Sequence, residues 1–501
     1  MENLTDKIEN VKQDNEVGNF DIDESLNPFA DSEQDAIKKA DELLAEMKLR
    51  EKESDDKVKR QLLACVKNMQ KKYSLINRNG DAFVIHKDSE QGLIFTKPNA
   101  FITLNMHHYF DVKTASGRIS RVYATKAFLE SKATHRYEGI IFNPIYKGTE
   151  YFNLWNGWTL TPKKGDVSKF LALNKVMAGN NEQVAEWLLN YWAHMIQRPE
   201  QLPRKAPVLL GAQGAGKGVY IDTIAKIVSK NYLHITNSQQ LVGKFNGHQH
   251  SALLLFADES VFGADKVAEN ILKGMITECE TMIEDKHKSP VQVKNFKRIV
   301  FASNNEQAAP VSEGDRRYVV SRVSDELKGK TGKGEFFDTY KDWIDNKNGS
   351  EAVFYFLLNR DISKFDVFNE HPKTQAWADM MKLNLNPEYQ FIYEMLNDME
   401  ILSDGTKLVA KDGELFLRNN LYRDFSDWCK DKNVKYIPTI DSFGKAMQIC
   451  FEFAKENEKW RTNWKGSDGY YYKCLNKRDW QKKFAENFMK ADPAQVFFDY
   501  E

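Results

Sequence analysis

The sequence predicts an α/β chain centred on a parallel sheet, with a small α+β domain before it and a helical segment and a further mixed domain after it. Three observations carry this expectation. Between Pro203 and about Ser324, the short apolar runs APVLLG, SALLLFADES and KRIVFASNN each end in Gly, Asp or Asn and alternate with helical or loop segments. Such runs suit parallel strands buried on both faces. The first run passes directly into a glycine-rich turn and a helical stretch. The 501 residues are 42% hydrophobic, enough for more than one core, at roughly 150 residues per domain.

Charge divides the chain unevenly. It holds 71 Lys plus Arg against 72 Asp plus Glu, but residues 1–50 contain 14 acidic and 6 basic side chains, leaving a net of +7 for residues 51–501. With few aromatics, residues 1–60 read as a flexible acidic leader that passes into a helix from about Ala36 and serves solubility more than recruitment. The start, MENLTDKIENVKQDNE, is acidic where a signal peptide would be basic and then apolar, and no run approaches the roughly 18–20 apolar residues of a membrane span. The expectation is a protein that meets no membrane and stays in the cytoplasm. Cys65, Cys279, Cys429, Cys450 and Cys474 include no C-x-x-C pair, so neither a disulfide framework nor a cysteine zinc site is expected.

The elements follow in order. Residues 61–160 mix the β-like runs DAFVIH, GLIFT, AFITL, RVYATKAF, GIIFNP and EYFNLWNGW with turn residues, as a small sheet-containing domain would. Residues 161–201 read as two helices. The second places Val184, Trp187, Leu188, Tyr191, Trp192 and Met195 on one face, better explained as core than as a base-stacking platform, and His194 beside them has no partner at metal-ligand spacing. Residues 202–345 form the central core and residues 346–407 a helical segment. Residues 408–501 read helix, helix, hairpin, helix, with FGKAMQICFEFAKENEKW as a long helix and WRTNWKGSDGYYYKC as a two-stranded wing.

Chemistry concentrates in the central core. Gly211, Gln213, Gly214, Ala215, Gly216, Lys217, Gly218 and Val219 belong to a G-x-x-x-x-G-K loop between a strand and a helix. Glycines let backbone N–H groups surround phosphate oxygens, the helix N-terminus adds partial positive charge, and Lys217 can reach the β and γ phosphates. A bound nucleoside triphosphate with Mg²⁺ follows. Gly218 stands where the usual Ser or Thr would offer magnesium a hydroxyl, so the metal relies on water, phosphate oxygens and an acidic residue elsewhere. Asp258, at the end of SALLLFADES, is the candidate magnesium holder, and adjacent Glu259 the candidate for polarising the attacking water. Asn304, ending KRIVFASNN, can hydrogen-bond the γ phosphate or that water. Arg316 and Arg317 suit an arginine finger, which in ring-forming ATPases comes from the neighbouring subunit; which of the two serves is open. Between two β-like runs, Lys286, His287 and Lys288 make a basic hairpin tip able to track a phosphate backbone.

The order of Lys217, Asp258-Glu259, the basic hairpin, Asn304 and Arg316-Arg317 resembles the superfamily 3 helicases of viruses, phages and mobile elements. It is most similar to the helicase portion of phage and plasmid primase-helicases and the related poxvirus-type group. The resemblance covers about residues 140–325, including the lead-in YFNLWNGWTLTP and GKG in place of GKS or GKT. It implies an AAA+ core, a homo-oligomeric ring of six, and ATP-driven translocation on single-stranded or forked DNA for replication of a phage or mobile element in a bacterial host. It also implies Lys286 and His287 as the DNA-tracking tip. Residues 408–490 are similar to a winged-helix domain. Residues 421–490 hold 15 Lys plus Arg and 10 Asp plus Glu, which suits duplex contact through Lys445 on the long helix and Arg461 and Lys465 in the wing. Residues 61–200 show no paired carboxylates and histidine of a primase, so a separate primase or replisome protein is expected as partner. The alternatives are an AAA+ initiator or loader that melts an origin without processive unwinding, and a P-loop kinase, against which the hairpin, Glu259 and the arginine pair argue.

Overall fold

A computed structural model describes residues 56–78, 80–88, 92–113, 118–259, 266–286, 289–312, 315–398, 415–451, 471–473, 477–497 and 500. The chain divides into two compact units, residues 1–142 with 146–154, and residues 143–145 with 155–501.

The first unit opens with helix α1 (Asp56–Lys72) and strands β1 (Ser74–Arg78), β2 (Asp81–Asp88) and β3 (Gly92–Thr96). Helix α2 (Pro98–Leu104) follows, then the antiparallel pair β4 (Tyr109–Lys113) and β5 (Ile119–Tyr123), helix α3 (Ala124–Glu130) and the short strands β6 (Arg136–Tyr137), β7 (Gly139–Ile141) and β8 (Tyr151–Asn153). One sheet has the order β3-β2-β1-β6. The apolar stripe of α1, Leu62, Val66 and Met69, packs with Val84, Phe101 and Phe128. AFITL, expected as a strand, lies in α2: Pro98 falls in its first turn, where its missing N–H costs nothing and its fixed φ suits a helix. RVYATKAF splits between β5 and α3.

In the second unit, helices α4 (Ser168–Met177) and α5 (Glu182–Gln197) lead to the central sheet. Asn181 caps α5 by accepting a hydrogen bond from the Val184 N–H. The aromatic face of α5 is core: Trp192 Nε1 donates to Tyr220 Oη at 2.7 Å, Tyr220 donates to Asn174 Oδ1 at 2.5 Å, and the Tyr220 ring stacks on Phe170.

The sheet has five strands: β9 (Ala206–Leu210), β10 (Tyr232–Ile235), β11 (Leu254–Asp258), β14 (Arg298–Ser303) and β15 (Tyr318–Arg322). They run in the order β10-β11-β14-β9-β15, and all neighbouring pairs are parallel. Strands β9 and β14 are buried along their whole length, and β15 up to its last residue, so the continuous apolar runs have their physical cause in two covered faces. Two of the five strands, YLHI and YVVSR, were not among the runs expected from the sequence. Helices α6 (Lys217–Val228), α7 (Ser238–Val242) and α8 (Lys266–Thr277) occupy the crossovers, and the antiparallel hairpin β12 (Glu280–Ile283) and β13 (Val291–Lys294) precedes β14.

The C-terminal part is mostly helical. It contains α9 (Phe336–Asn346), α10 (Gly349–Leu358), α11 (Gln375–Leu383), α12 (Pro387–Asp398), α13 (Arg418–Asp431), α14 (Ile440–Phe451) and α15 (Lys477–Lys483), the last running into a π-helical turn, and a short α16 (Pro493–Val496). Thr374 Oγ1 donates to the Val320 carbonyl at 2.6 Å, and buried Trp377 continues the core from the sheet into Ile392, Phe425 and Phe443. Strand β17 (Tyr471–Lys473) pairs antiparallel with β16 (Leu415–Leu417). The partner of the YYYKC run is therefore a strand more than fifty residues earlier, not only the near segment expected to form a wing. Residues 452–470, which include the rest of that wing and Arg461 and Lys465, lie outside the described residues.

Candidate nucleotide site and basic hairpin

The C-terminal edge of a parallel sheet is where open α/β folds bind ligands. Register places the candidates there. Ala302 of β14 is level with Leu209 on one side and Asp258 on the other. At about 4.8 Å per strand, Asp258 therefore stands about 10 Å from the β9 backbone, across β14. Gly211 N donates to the Ser303 carbonyl at 3.0 Å and Glu259 N to the Ala302 carbonyl at 2.8 Å. Asn304, exposed, follows Ser303 between these two attachments.

The loop geometry needs its glycines. Gly214 and Gly216 have φ of 80° and 93°, in the left-handed region. A Cβ on Gly216 would also lie 2.6 Å from the Phe337 ring, while one on Gly218 would meet nothing within 4 Å. Position 218 thus has room for a hydroxyl side chain, and its absence is not enforced by packing. Lys217 opens α6, and its Nζ donates to the Gly211 and Ala212 carbonyls at 2.6 and 2.9 Å, curling over the loop. Burial lowers the Lys217 pKa from the ordinary lysine value, opposed by the carboxylates of Asp258, Glu259 and Asp325.

Glu259 adopts φ 53°, a left-handed conformation rare for a glutamate, and is exposed. Such a conformation costs of order 1 kcal/mol and is found preferentially at functional positions. Three neighbours were not read from the sequence. His234 Nε2 lies 3.5 Å from Asp258 Oδ2, with its ring stacked on Phe256. Asp222, on α6, has its carboxyl pKa raised by burial, with His234 and Lys226 opposing and Asp258 reinforcing the rise. Asp325 lies three residues beyond the end of β15 and near Lys217, placed there by a strand the sequence reading did not single out. Among the described residues no cluster of three or more His, Cys, Asp or Glu is arranged to hold a metal by itself. Asp258 alone fits a magnesium ion that arrives with triphosphate oxygens and water.

The arginine pair lies at the other end of the sheet. Arg322 is level with Leu210 and Tyr318 with Ala206, so Arg316, two residues before the start of β15, lies more than about 13 Å from the P-loop edge. The two arginines differ. Arg317 Nη1 donates to Asp315 Oδ2 at 2.8 Å, and the buried Asp315 also accepts the Arg317 N–H at 2.6 Å. Arg316 is exposed, and its carbonyl accepts Lys205 Nζ at 2.6 Å. Burial pulls Lys205 down to about 8, with the Arg316 charge next in effect.

In the hairpin, Lys286 is exposed at the turn, while His287 and Lys288 lie outside the described residues. Asn246 braces its first strand by donating to the Met282 carbonyl at 2.9 Å and accepting the Glu284 N–H at 2.8 Å. This loop brings Phe245, 50% exposed, and Lys244, in an ion pair with Glu284, beside the hairpin. Lys445 is exposed on α14.

No helix among the described residues is long and apolar enough to cross a membrane. Residues 209–317, spanning the loop, the acidic strand end, the hairpin and the arginines, match a family of unknown function, DUF5906. The DNA primase-polymerase of Nitratiruptor phage NrS-1 is 25% identical over 213 residues, covering 40% of this chain and 29% of that protein. Less than a third of the relative's length is thus matched. The apo structure of the NrS-1 C-terminal region superposes with a TM-score of 0.59 at 15% identity over 82% of this chain and 99% of that one. A second apo form of that region gives 0.55 at 16% identity over 80% and 95%. The chain is therefore a relative of the NrS-1 phage primase-polymerase and shares the fold of its C-terminal region.

Proposed function

We propose that the chain is the ATP-driven DNA translocase or helicase of a phage or mobile-element replication system, of the superfamily 3 and AAA+ type, working as a ring of copies in the host cytoplasm. The observation that carries this reading is the separation of the triphosphate loop and Arg316 to opposite edges of one parallel sheet. An arginine at the end of the sheet opposite its own P-loop, more than about 13 Å away along the strands, serves a nucleotide held by another copy.

In this reading Lys217 and the N–H groups of residues 213–219 hold the β and γ phosphates. Asp258, with water and phosphate oxygens, would hold magnesium, whose positive charge would be supplied against the transferring group. Glu259, held at the sheet edge by its backbone, orients and polarises the attacking water, and Asn304 donates from between them. Arg316 of a neighbouring copy faces the γ phosphate. The hairpin tip at Lys286, His287 and Lys288 tracks the DNA backbone, with Lys244 and Phe245 beside it. The C-terminal part, as a winged-helix domain, contacts duplex DNA through Lys445, Arg461 and Lys465, and priming comes from a separate protein.

The test is ATPase activity with and without single-stranded DNA, together with strand displacement on a forked duplex. DNA-stimulated hydrolysis that drives displacement and disappears in Lys217→Ala is expected. Stimulated hydrolysis without displacement would favour an initiator or loader, and hydrolysis indifferent to DNA would remove the motor reading.

A further inference from the structure

The positive charge of the chain beyond its leader is concentrated in the first unit, to which the motor reading gives no task. Residues 56–154 hold 16 Lys plus Arg against 8 Asp plus Glu. Within this unit the β4–β5 pair has two unlike faces. Its register sets Tyr109 opposite Tyr123 and Asp111 opposite Arg121. Strand alternation turns Phe110, Val112 and Val122 toward the core of α1 and α3. The other face therefore presents Tyr109, Asp111, Arg121, Tyr123 and Ile119.

This face is aromatic and largely exposed, its guanidinium paired with Asp111 and further cations, Lys126 and Arg118, at its margin. Tyr109 is 43% exposed, Ile119 67%, and the Arg121 side chain 51%. The Arg121 guanidinium lies 4.0 Å from the Tyr109 ring centroid, and Asp111 accepts its Nε–H at 3.1 Å, which fixes its plane against the ring. The Tyr123 ring stands edge-on to Tyr109 at 6.5 Å, with Lys126 Nζ 5.8 Å from its centroid. Arg118, at the start of β5, is exposed. The core of the unit lies on the opposite face, so core packing does not account for Tyr109, while Tyr123 is half-buried beside it.

We propose that the solvent face of β4–β5 is a second site for single-stranded DNA, where bases stack on Tyr109, Tyr123 and the Arg121 plane while Lys126 and Arg118 meet phosphates. Unstacked bases offer π-faces and the backbone offers negative charge, so a single strand is the polymer that matches both features of the face. In a duplex the bases stack on each other and leave the tyrosines nothing to receive. The proposal rests on the motor reading only for the identity of the polymer as DNA.

The experiment uses the full chain without nucleotide and a fluorescein-labelled oligo-dT 20-mer, read by fluorescence anisotropy across a salt series. Tyr109→Ala/Tyr123→Ala is expected to weaken binding about tenfold or more. Lys126→Ala is expected to weaken it less and to reduce the salt slope by about one. Ultraviolet crosslinking of 5-iodouracil oligonucleotide to the unaltered chain should map by mass spectrometry to Tyr109 or Tyr123, which keeps the test informative if the double variant fails to fold. Unchanged affinity in a double variant that melts like the parent, crosslinks confined to residues 240–295, or equal affinity for a 20-base-pair duplex would each overturn the proposal. None of these results bears on hydrolysis, so the motor reading stands or falls separately.

Discussion

At the scale of single residues, the two adjacent arginines illustrate how a local partner separates structure from chemistry. Arg317 neutralises a buried carboxylate, and Arg316 is exposed on the same turn. Arg317→Ala strips Asp315 of its charge partner while leaving its backbone donors, so a loss of about 1–3 kcal/mol is expected in chemical denaturation. Arg316→Ala should stay within about 0.5 kcal/mol of the parent. Under the proposed function it should nevertheless lose ATPase activity at least about hundredfold. Equal stability losses for both would contradict this division. Glu259 makes the complementary case, because its left-handed backbone is strained for a side chain. Glu259→Gly should gain up to about 1 kcal/mol of stability while abolishing turnover, and Glu259→Gln should bind nucleotide without turning it over. A destabilised Glu259→Gly would show that the conformation carries no strain. Of the site, the loop, the acidic pair and Asn304 were legible because each ends an apolar run. His234 and Asp222 were not, because only the pairing of β10 with β11 and the turn of α6 bring them to Asp258.

At the scale of elements, legibility follows burial. The long apolar runs of β9, β11 and β14 announced themselves, whereas the four-residue β10 has only Ile235 fully buried and so gives little periodic signal. AFITL misled because its residues favour strands, while the preceding Pro98 decides for a helix. The pairing of β16 with β17 is non-local and so invisible to any reading by adjacent segments. The hairpin β12–β13 was legible from its two β-like runs around a basic tip. Its proposed work is tested by Lys286→Ala/Lys288→Ala, which should leave basal ATPase in place while losing its stimulation by DNA. Retained stimulation and unwinding would count against the tip as the tracking element.

At the scale of the whole molecule, the second unit holds two histidines that favour their neutral forms, His194 buried and His371 half-buried. Burial pushes His194 and His371 down to about 4, well below the ordinary 6.5. The unfolded chain then binds protons that the folded chain refuses, so the histidines' contribution to stability is complete above about pH 6.5 and is lost as pH falls toward 4. For His194, 1% exposed, the full loss is of order 3 kcal/mol. Thermal melts at pH 7 and 4.5 should show it, and His194→Phe should flatten the dependence; identical slopes in parent and variant would remove His194 as a cause. The central claim concerns copies rather than one chain: hydrolysis occurs where the P-loop of one meets Arg316 of another. It is tested most directly by mixing Lys217→Ala chains with Arg316→Ala chains, each inactive alone, and measuring ATPase against mixing ratio. Seams that join an intact loop to an intact arginine should restore part of the activity, with a maximum at intermediate ratios. No recovery at any ratio would contradict the account.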